Sequence, residues 1–452
     1  MERELSFHRL VLKIALPVTL QSLLQSSFSV IDQIMTGQLG SASIAGIGLG
    51  GKFSSVYSVL VSAIAAAAGI MIAQYMGQKN EKEVSRSFCL NLFLAVLLAA
   101  VFTGICTAFP GQIMGIYTRD AATKKIAAGY LGIVAFSYIP MAVSVLLSTL
   151  LRCMEAASLP LYASIFGAAV NTGLNYALIF GKFGFPRLGV TGAALATVIS
   201  QAACLGLTVL LFYRYYKKQA FTLELLLRLG RAGRRQYLGI LLPILMCELF
   251  WSLGENVYTA IYGNIGTIDC AAMALTLPVQ TLMIGALNGL AQAAGILTGK
   301  TLGSGEYERA RREAKKLMQY GFAGSVLLSV LLLLTGNIYV KIYQVEEAVR
   351  ALARQILVVF AIISPVKVQN MILGGGVLRS GGKTKYVMAV DFIGTWIFGV
   401  PLGLLAAFVW KLQIPYVYFI LSLEECVRFV ISLFIFRSRR WMVNIGSEDD
   451  RV

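Results

Sequence analysis

Residues Leu16 to Gly40 read LPVTLQSLLQSSFSVIDQIMTGQLG, and residues Leu242 to Gly266 read LPILMCELFWSLGENVYTAIYGNIG. Pro17 falls on Pro243, Gly37 on Gly263 and Gly40 on Gly266, each at an offset of 226. The same offset takes Gly69 to Gly295 and lays the loop GQKNEKEVSRS, from Gly77, onto GSGEYERARRE, from Gly303. Further on, LLRCMEAAS maps onto VLRSGGKTK, with Arg152 on Arg379 at an offset of 227. Apolar text matches by chance, but one offset that joins prolines, glycines and basic loops does not. The chain reads as two copies of one unit.

Each copy is built from apolar runs. The 452 residues are 57% hydrophobic and 13% charged, with mean hydropathy +0.74. A soluble domain carries about 25% charged residues, so this surface must meet lipid. Twelve runs of spanning length begin near Leu12, Ala42, Ser87, Lys124, Leu161, Gly189, Tyr237, Cys270, Leu317, Val349, Tyr386 and Pro415. With the N-terminus placed inside, 27 of the 39 basic residues fall in inside segments, nine in outside segments, and Lys52, Lys367 and Arg428 within spans. That bias orients both termini to the cytoplasm. It also accounts for the net charge of +17: the basic residues are topological anchors, and nucleic-acid binding is excluded. Six spans per copy is an even number, so the copies insert in parallel about an axis along the membrane normal. The expected fold is an all-α membrane protein of twelve transmembrane helices in two pseudo-symmetric six-helix lobes. These are residues 1–213 and 237–452, joined by a basic cytoplasmic linker at 214–236. The plasma membrane is the expected location. The charged start MERELSFHRLVLK has no cleavable signal pattern, and a monomer is the expected working state.

Chemistry is sought among the polar residues inside the spans, which cost roughly 2.5–3.5 kcal/mol each to insert when charged. In the first run, Gln21, Gln25, Ser29, Asp32 and Thr36 recur at steps of three or four and share a helix face. In the seventh, Glu248, Ser252, Glu255, Tyr258 and Tyr262 do the same. Such a stripe at the head of each copy lines a wet cavity or forms a buried polar seam. The acids carry no obvious basic partner on those helices, which favours the cavity. A carboxylate in a cavity of low dielectric readily takes up a proton or a cation, the chemistry that coupled transport needs. Asp32, Glu248, Glu255 and Asp391 are the candidate coupling acids; for Asp391 interfacial solvation, or a hydrogen bond to Trp396 or a neighbouring helix, is the competing role. Lys367 and Asn370 join the candidate cavity lining, with Lys367 either pairing with a carboxylate or snorkelling. Glu424 and Arg428, four apart in LEECVRF, are expected to form an ion pair along the twelfth helix. The seven cysteines fit no metal pattern, and the one histidine, His8, builds no catalytic site. GIGLGG, from Gly46, lies within an apolar run and is no nucleotide loop. Neither catalytic nor metal-binding residues are expected, and the only cofactor implied is the coupling ion.

The two long stretches quoted above, with GVLRSGGKTK, LEECVRFVISLFIFRSRRW and NTGLNYALIFG from Asn171, resemble the multidrug and toxic compound extrusion (MATE) transporters. The resemblance runs from about Leu12 to Trp441 and is closest to the bacterial branch with DinF-like and MepA-like members. It implies two six-helix lobes, a central cavity and alternating access. It implies export of amphiphilic, mostly cationic small molecules in exchange for protons or sodium. Asp32 stands where the family has its helix 1 aspartate, and Glu248 is the suggested counterpart of its helix 7 acid. Asn171 and Asn175 stand where some members have an aspartate, so an ion site needing two aspartates is not implied there. A lipid-linked precursor flippase of the same superfamily would favour a basic cavity and two more helices. A receptor or channel remains the other alternative.

Overall fold

A computed structural model describes residues 2–217, 231–343 and 345–445 of the chain. Most of the expected linker, residues 218–230, therefore lies outside the described residues. The described chain is almost wholly helical. Its first half comprises α1 (Glu2–Gly37), α2 (Ser41–Gly77), α3 (Glu81–Ala108), a short α4 (Pro110–Tyr117), α5 (Ala121–Val134), α6 (Tyr138–Cys153), α7 (Ser158–Phe180) and α8 (Val190–Tyr216). The second half comprises α9 (Arg231–Ile265), α10 (Thr267–Gly303), α11 (Tyr307–Lys341), α12 (Glu347–Asn370), α13 (Thr384–Phe392), α14 (Val400–Leu404) and α15 (Ile414–Ser438).

Eleven stretches are long and apolar enough to cross a membrane, with α5 and α6 forming one of them. The twelfth is α15, whose 25 residues suffice in length. It carries Glu424, Glu425 and Arg428, all buried, and so reads as less apolar than it is placed. The twelve expected spans are therefore present. Their starts come earlier than hydropathy marks them: α3 opens at Glu81 and α11 at Tyr307. Apolar runs mark the lipid band, whereas caps mark the helix ends. Asn80 caps α3 by accepting from the Glu83 amide at 3.3 Å, and Asp120 caps α5 by accepting from the Thr123 amide at 2.8 Å. That bond holds the Asp120 carboxyl below its ordinary pKa. Lipid-facing positions stay bare, as at Leu327, 70% exposed, and Leu334, 72%.

The contacts divide the chain into two units. One contains Leu20–Ile72 and Asn80–Arg228. In its interior Tyr57 stacks on Tyr138 with ring centroids 4.3 Å apart and donates to the Tyr138 carbonyl at 2.7 Å. The glycine run of α2 has a packing purpose there. A methyl at Gly46 would strike Ile126, and one at Gly50 would strike Tyr130.

The other unit contains Met1–Thr19, Ala73–Lys79 and Leu229–Val452. Glycines mark the close contacts that Met1–Thr19 and Ala73–Lys79 make within this unit. At Gly289, α10 meets the backbone of Ala15 so closely that a side chain would overlap it, and Thr19 Oγ1 donates to the Ala286 carbonyl at 3.1 Å. A methyl on Gly77 would overlap the Lys300 carbonyl, and one on Gly303 would overlap the Gln74 carbonyl. Gly77 and Gly303 are repeat equivalents, as are Gln74 and Lys300, so the ends of α2 and α10 cross reciprocally. Beyond α15, Trp441 is buried and donates to the Phe436 carbonyl at 3.2 Å. The buried Gln74 amide donates to the carbonyls of Ser380 (2.7 Å) and Val443 (3.0 Å) and accepts from the Ile445 amide at 2.8 Å. Within this unit the later spans break into π-helical turns at Met371–Leu378, Ile393–Gly399 and Leu405–Val409. Such turns occur frequently at functional sites.

Candidate functional site

In the unit that holds most of the first half, the α1 stripe divides. Gln21 and Thr36 are buried, Asp32 is half-buried, and Gln25 and Ser29 are exposed. Gln21 and Asp32 are eleven residues apart, three helical turns, so they project in nearly the same direction. Asp32 Oδ1 accepts from Asn175 Nδ2 of α7 at 2.6 Å. Asn175 is fully buried and also donates to Asn171 Oδ1 at 3.1 Å, while Asn171 donates to Ser200 Oγ of α8 at 3.3 Å. Among the described residues Asp32 has no cationic partner within salt-bridge distance. Its carboxylate is the uncompensated charge of a neutral amide and hydroxyl network. Thr36 Oγ1 turns back onto the Asp32 carbonyl at 2.9 Å.

Lower on the same face, Gln21 Nε2 donates to Ser164 Oγ at 2.6 Å, and Gln21 Oε1 accepts from Arg152 Nη2 at 2.8 Å. The second half contains a charged counterpart: Glu248 Oε1 lies 3.3 Å from Arg379 Nη1. Both pairs span 131 residues of sequence. The two arginines are repeat equivalents, but at the offset of 226 Gln21 falls on Cys247, so the acid of the second half stands one residue further along α9 and makes an ionic contact where the first half makes a neutral one. The basic partner of Glu248 thus comes from a different helix, outside the two on which none was expected. Arg152 and Arg379 read as loop anchors in the sequence, but each sits at the end of a helix and reaches back into it. Their equivalence in the repeat was the signal available. The repeat also sets an internal comparison. Arg379→Gln leaves a carboxylate without its cation, at a cost of about 1–3 kcal/mol after solvent access is allowed for. Arg152→Gln leaves only a neutral amide. Thermal unfolding in detergent should show a drop of several degrees for the first and little change for the second; equal drops would discard the ionic clamp.

The remaining acids of the second half gather around α15. The expected Glu424–Arg428 pair is not what forms. Glu424 Oε2 accepts from the Tyr258 hydroxyl of α9 at 2.5 Å. Arg428 instead points to Asp391 Oδ1, 4.0 Å away, and donates to Thr395 Oγ1. Pairing along the helix would leave Asp391 without a cation and the Tyr258 hydroxyl without an acceptor in an apolar wall, so the cross-helix pairs win. Gly394 and Gly399 make the room: side chains there would overlap Arg428 and the Tyr258–Glu424 pair respectively. Trp396 Nε1 donates to the Phe250 carbonyl at 3.2 Å and not to Asp391.

Lys367 does not snorkel alone. Its Nζ lies 3.9 Å from Glu425 Oε1, and Asn370 donates to Glu425 Oε2 at 2.8 Å. Lys367 and Glu425 border a cavity of about 140 Å³ whose wall also includes Glu255, Tyr258, Tyr262, Tyr418 and Glu424. Three carboxylates face one lysine. Glu255 is exposed; its carbonyl accepts from Thr259 Oγ1 at 2.8 Å, while its carboxylate makes no hydrogen bond or ion pair among the described residues. Ser252, on the same face of α9, is half-buried and accepts from Asn256 through its carbonyl at 2.7 Å. Tyr418 and Gln280, which the sequence did not single out, join across the cavity wall at 3.0 Å. Among the described residues no cluster of three histidine, cysteine or acidic side chains is arranged to hold a metal.

Comparison with known proteins adds the following. The MatE family matches residues 17–177 and 243–405. A probable multidrug resistance protein NorM of Bacillus anthracis is 26% identical over 407 residues, covering 86% of each chain. A probable NorM of Rhizobium meliloti (strain 1021) is 28% identical over 420 residues, covering 89% of each. Among solved structures, the MATE transporter VcmN of Vibrio cholerae in its bent form superposes with a TM-score of 0.87 at 16% identity, covering 98% of this chain and 100% of that one. A MATE protein in complex with MaL6 gives 0.85 at 16% identity, covering 95% of each.

Proposed function

The chain belongs to the MatE family and is a multi-pass membrane transporter, not an enzyme, and from that premise we propose that it exports amphiphilic, mainly cationic, small molecules by proton- or sodium-coupled antiport. The observation that carries this reading is the cavity of the second half, where Glu255, Glu424 and Glu425 outnumber Lys367. A wall with excess carboxylate attracts cations and repels anions. Glu255 has no fixed partner and is available to a mobile ion. Asp32 supplies a second uncompensated carboxylate in the first half. Glu248 and Asp391 are tied to Arg379 and Arg428, which favours a stabilising role over a coupling role for both. Alternating exposure of the free acids to the two sides would exchange an ion for a cationic substrate. For a flippase of lipid-linked diphosphates, the cavity has the wrong sign.

The test is transport of a fluorescent cationic dye by purified protein in liposomes, with a proton gradient and a sodium gradient imposed separately. Dye movement against its own gradient with one of the two is the expected result. Movement with neither, or equal movement of a neutral and an anionic dye, removes the antiport reading.

A further inference from the structure

A second cavity, of about 520 Å³, opens between α11, α12 and α15 and is independent of the acidic one. Three cations stand at one end of it: Arg311 and Lys315 from the first turns of α11, and Arg437 from the last turn of α15. All three therefore sit at the same end of the membrane-spanning helices. Apart from Gln319 and Gln369 the rest of the wall is apolar, with Phe322, Phe429 and Phe436 prominent. Phe322 is 55% exposed, so the groove opens to the bilayer.

The charges in this groove are uncompensated. Arg311 and Lys315 are four residues apart, the spacing at which like charges on a helix repel. The nearby acids are already engaged. Glu308 pairs with Arg439, while Glu313 accepts from Arg309 Nε at 2.8 Å and from Thr301 at 2.9 Å. Arg311 Nε is buried without a hydrogen-bond partner. Among the described residues neither Arg311, Lys315 nor Arg437 forms an ion pair. Three unpaired cations at the rim of an apolar groove need an anion that brings hydrocarbon with it. From Arg311 to Phe322 the helix rises about 16 Å, enough for a phosphate-bearing headgroup and the first part of an acyl chain.

We propose that this groove binds an anionic phospholipid, its phosphate held by Arg311, Lys315 and Arg437 and its acyl chain lying along Phe322 and Phe429. Free inorganic or glycerol phosphate would use the cations and leave the apolar wall idle. Basic pockets between transmembrane helices bind anionic headgroups, and basic residues near an anionic membrane surface each contribute about one kilocalorie per mole. Three residues then correspond to a preference for anionic over zwitterionic lipid on the order of a hundredfold.

The experiment measures lipid retention by native mass spectrometry, and thermal stability, of delipidated full-length protein. The additions are phosphatidylglycerol, phosphatidylcholine and soluble glycerol 3-phosphate, each added alone. Phosphatidylglycerol should bind and raise the melting temperature, with the preference weakening in high salt, and the other two should do neither. The variant Arg311→Gln/Lys315→Gln/Arg437→Gln should bind phosphatidylglycerol no better than phosphatidylcholine, and Arg311→Lys/Arg437→Lys should keep the preference. Equal retention of the two lipids by wild-type protein overturns the proposal even if the triple variant does not fold. So does a triple variant that keeps the preference, and so does glycerol 3-phosphate stabilising as well as the lipid.

Discussion

Asp32→Asn should yield a folded, inserted protein that no longer drives substrate against a gradient. The fold is expected to persist because the partner of Asp32 is the Asn175 amide at 2.6 Å, and an asparagine at position 32 still offers an oxygen to it. No cation is stranded by the change, since none pairs with Asp32 among the described residues. What disappears is a negative charge that can exchange between a proton, a sodium ion and a cationic substrate. One coupled proton under a pH difference of about two units is worth about 2.7 kcal/mol, or roughly a hundredfold accumulation. The variant should accumulate no substrate above its equilibrium level, and its residual binding should lose dependence on pH. Liposome transport alongside equilibrium binding at several pH values reads both. Wild-type export by Asp32→Asn would move the coupling role to the Glu255 cavity, where Glu255→Gln is the matching variant.

The second large effect is expected from a methyl group. Gly77→Ala and Gly303→Ala each place a carbon onto a backbone carbonyl, of Lys300 and Gln74 respectively. Flexible side chains can move aside, but helix backbones can separate only as rigid bodies. Overpacking in well-packed cores costs about 1–3 kcal/mol, and a clash with main chain belongs at or above the upper end. Both variants should melt many degrees below wild type, and by similar amounts, because the contact is reciprocal. Gly48→Ala is the control. Nothing lies within 4 Å of its added carbon, so the intrinsic helix preference for alanine should leave stability equal or raised by about 0.5–1 kcal/mol. A Gly77→Ala protein that melts with Gly48→Ala would refute the close crossing.

The twelve spans and the two copies were legible because both are written in one dimension: hydropathy runs give the first, and a fixed offset gives the second. The helical faces of α1 and α9 were legible for the same reason, since steps of three and four need no tertiary knowledge. The partners of those faces were not. Nothing in LEECVRF says that Tyr258 will reach Glu424, or that Arg428 will turn to Asp391, because both choices depend on which helix lies alongside α15. The pairing of Glu248 with Arg379 has the same origin. Arg379 follows a π-helical turn, and an extra residue in that turn rotates everything after it. Asn175 was noticed as a departure from the family pattern, but its hydrogen bond to Asp32 needed α7 to be placed against α1.

The Gln74 amide also sets an order of events during synthesis. Its hydrogen bond from the Ile445 amide joins residues separated by 371 positions. At about 5–20 residues per second, the ribosome adds that intervening chain in roughly 20–75 s. For most of that time the C-terminal end of α2 carries an amide none of whose three partners yet exists, and the last two, Val443 and Ile445, come only at the end. A chain that stops before Val443 leaves that amide short of two of its three bonds in a place meant to be dry. A chain ending at Met442 should therefore melt below the full-length protein and be cut faster by added protease, and equal melting and cleavage of the two would remove this role from the C-terminal segment.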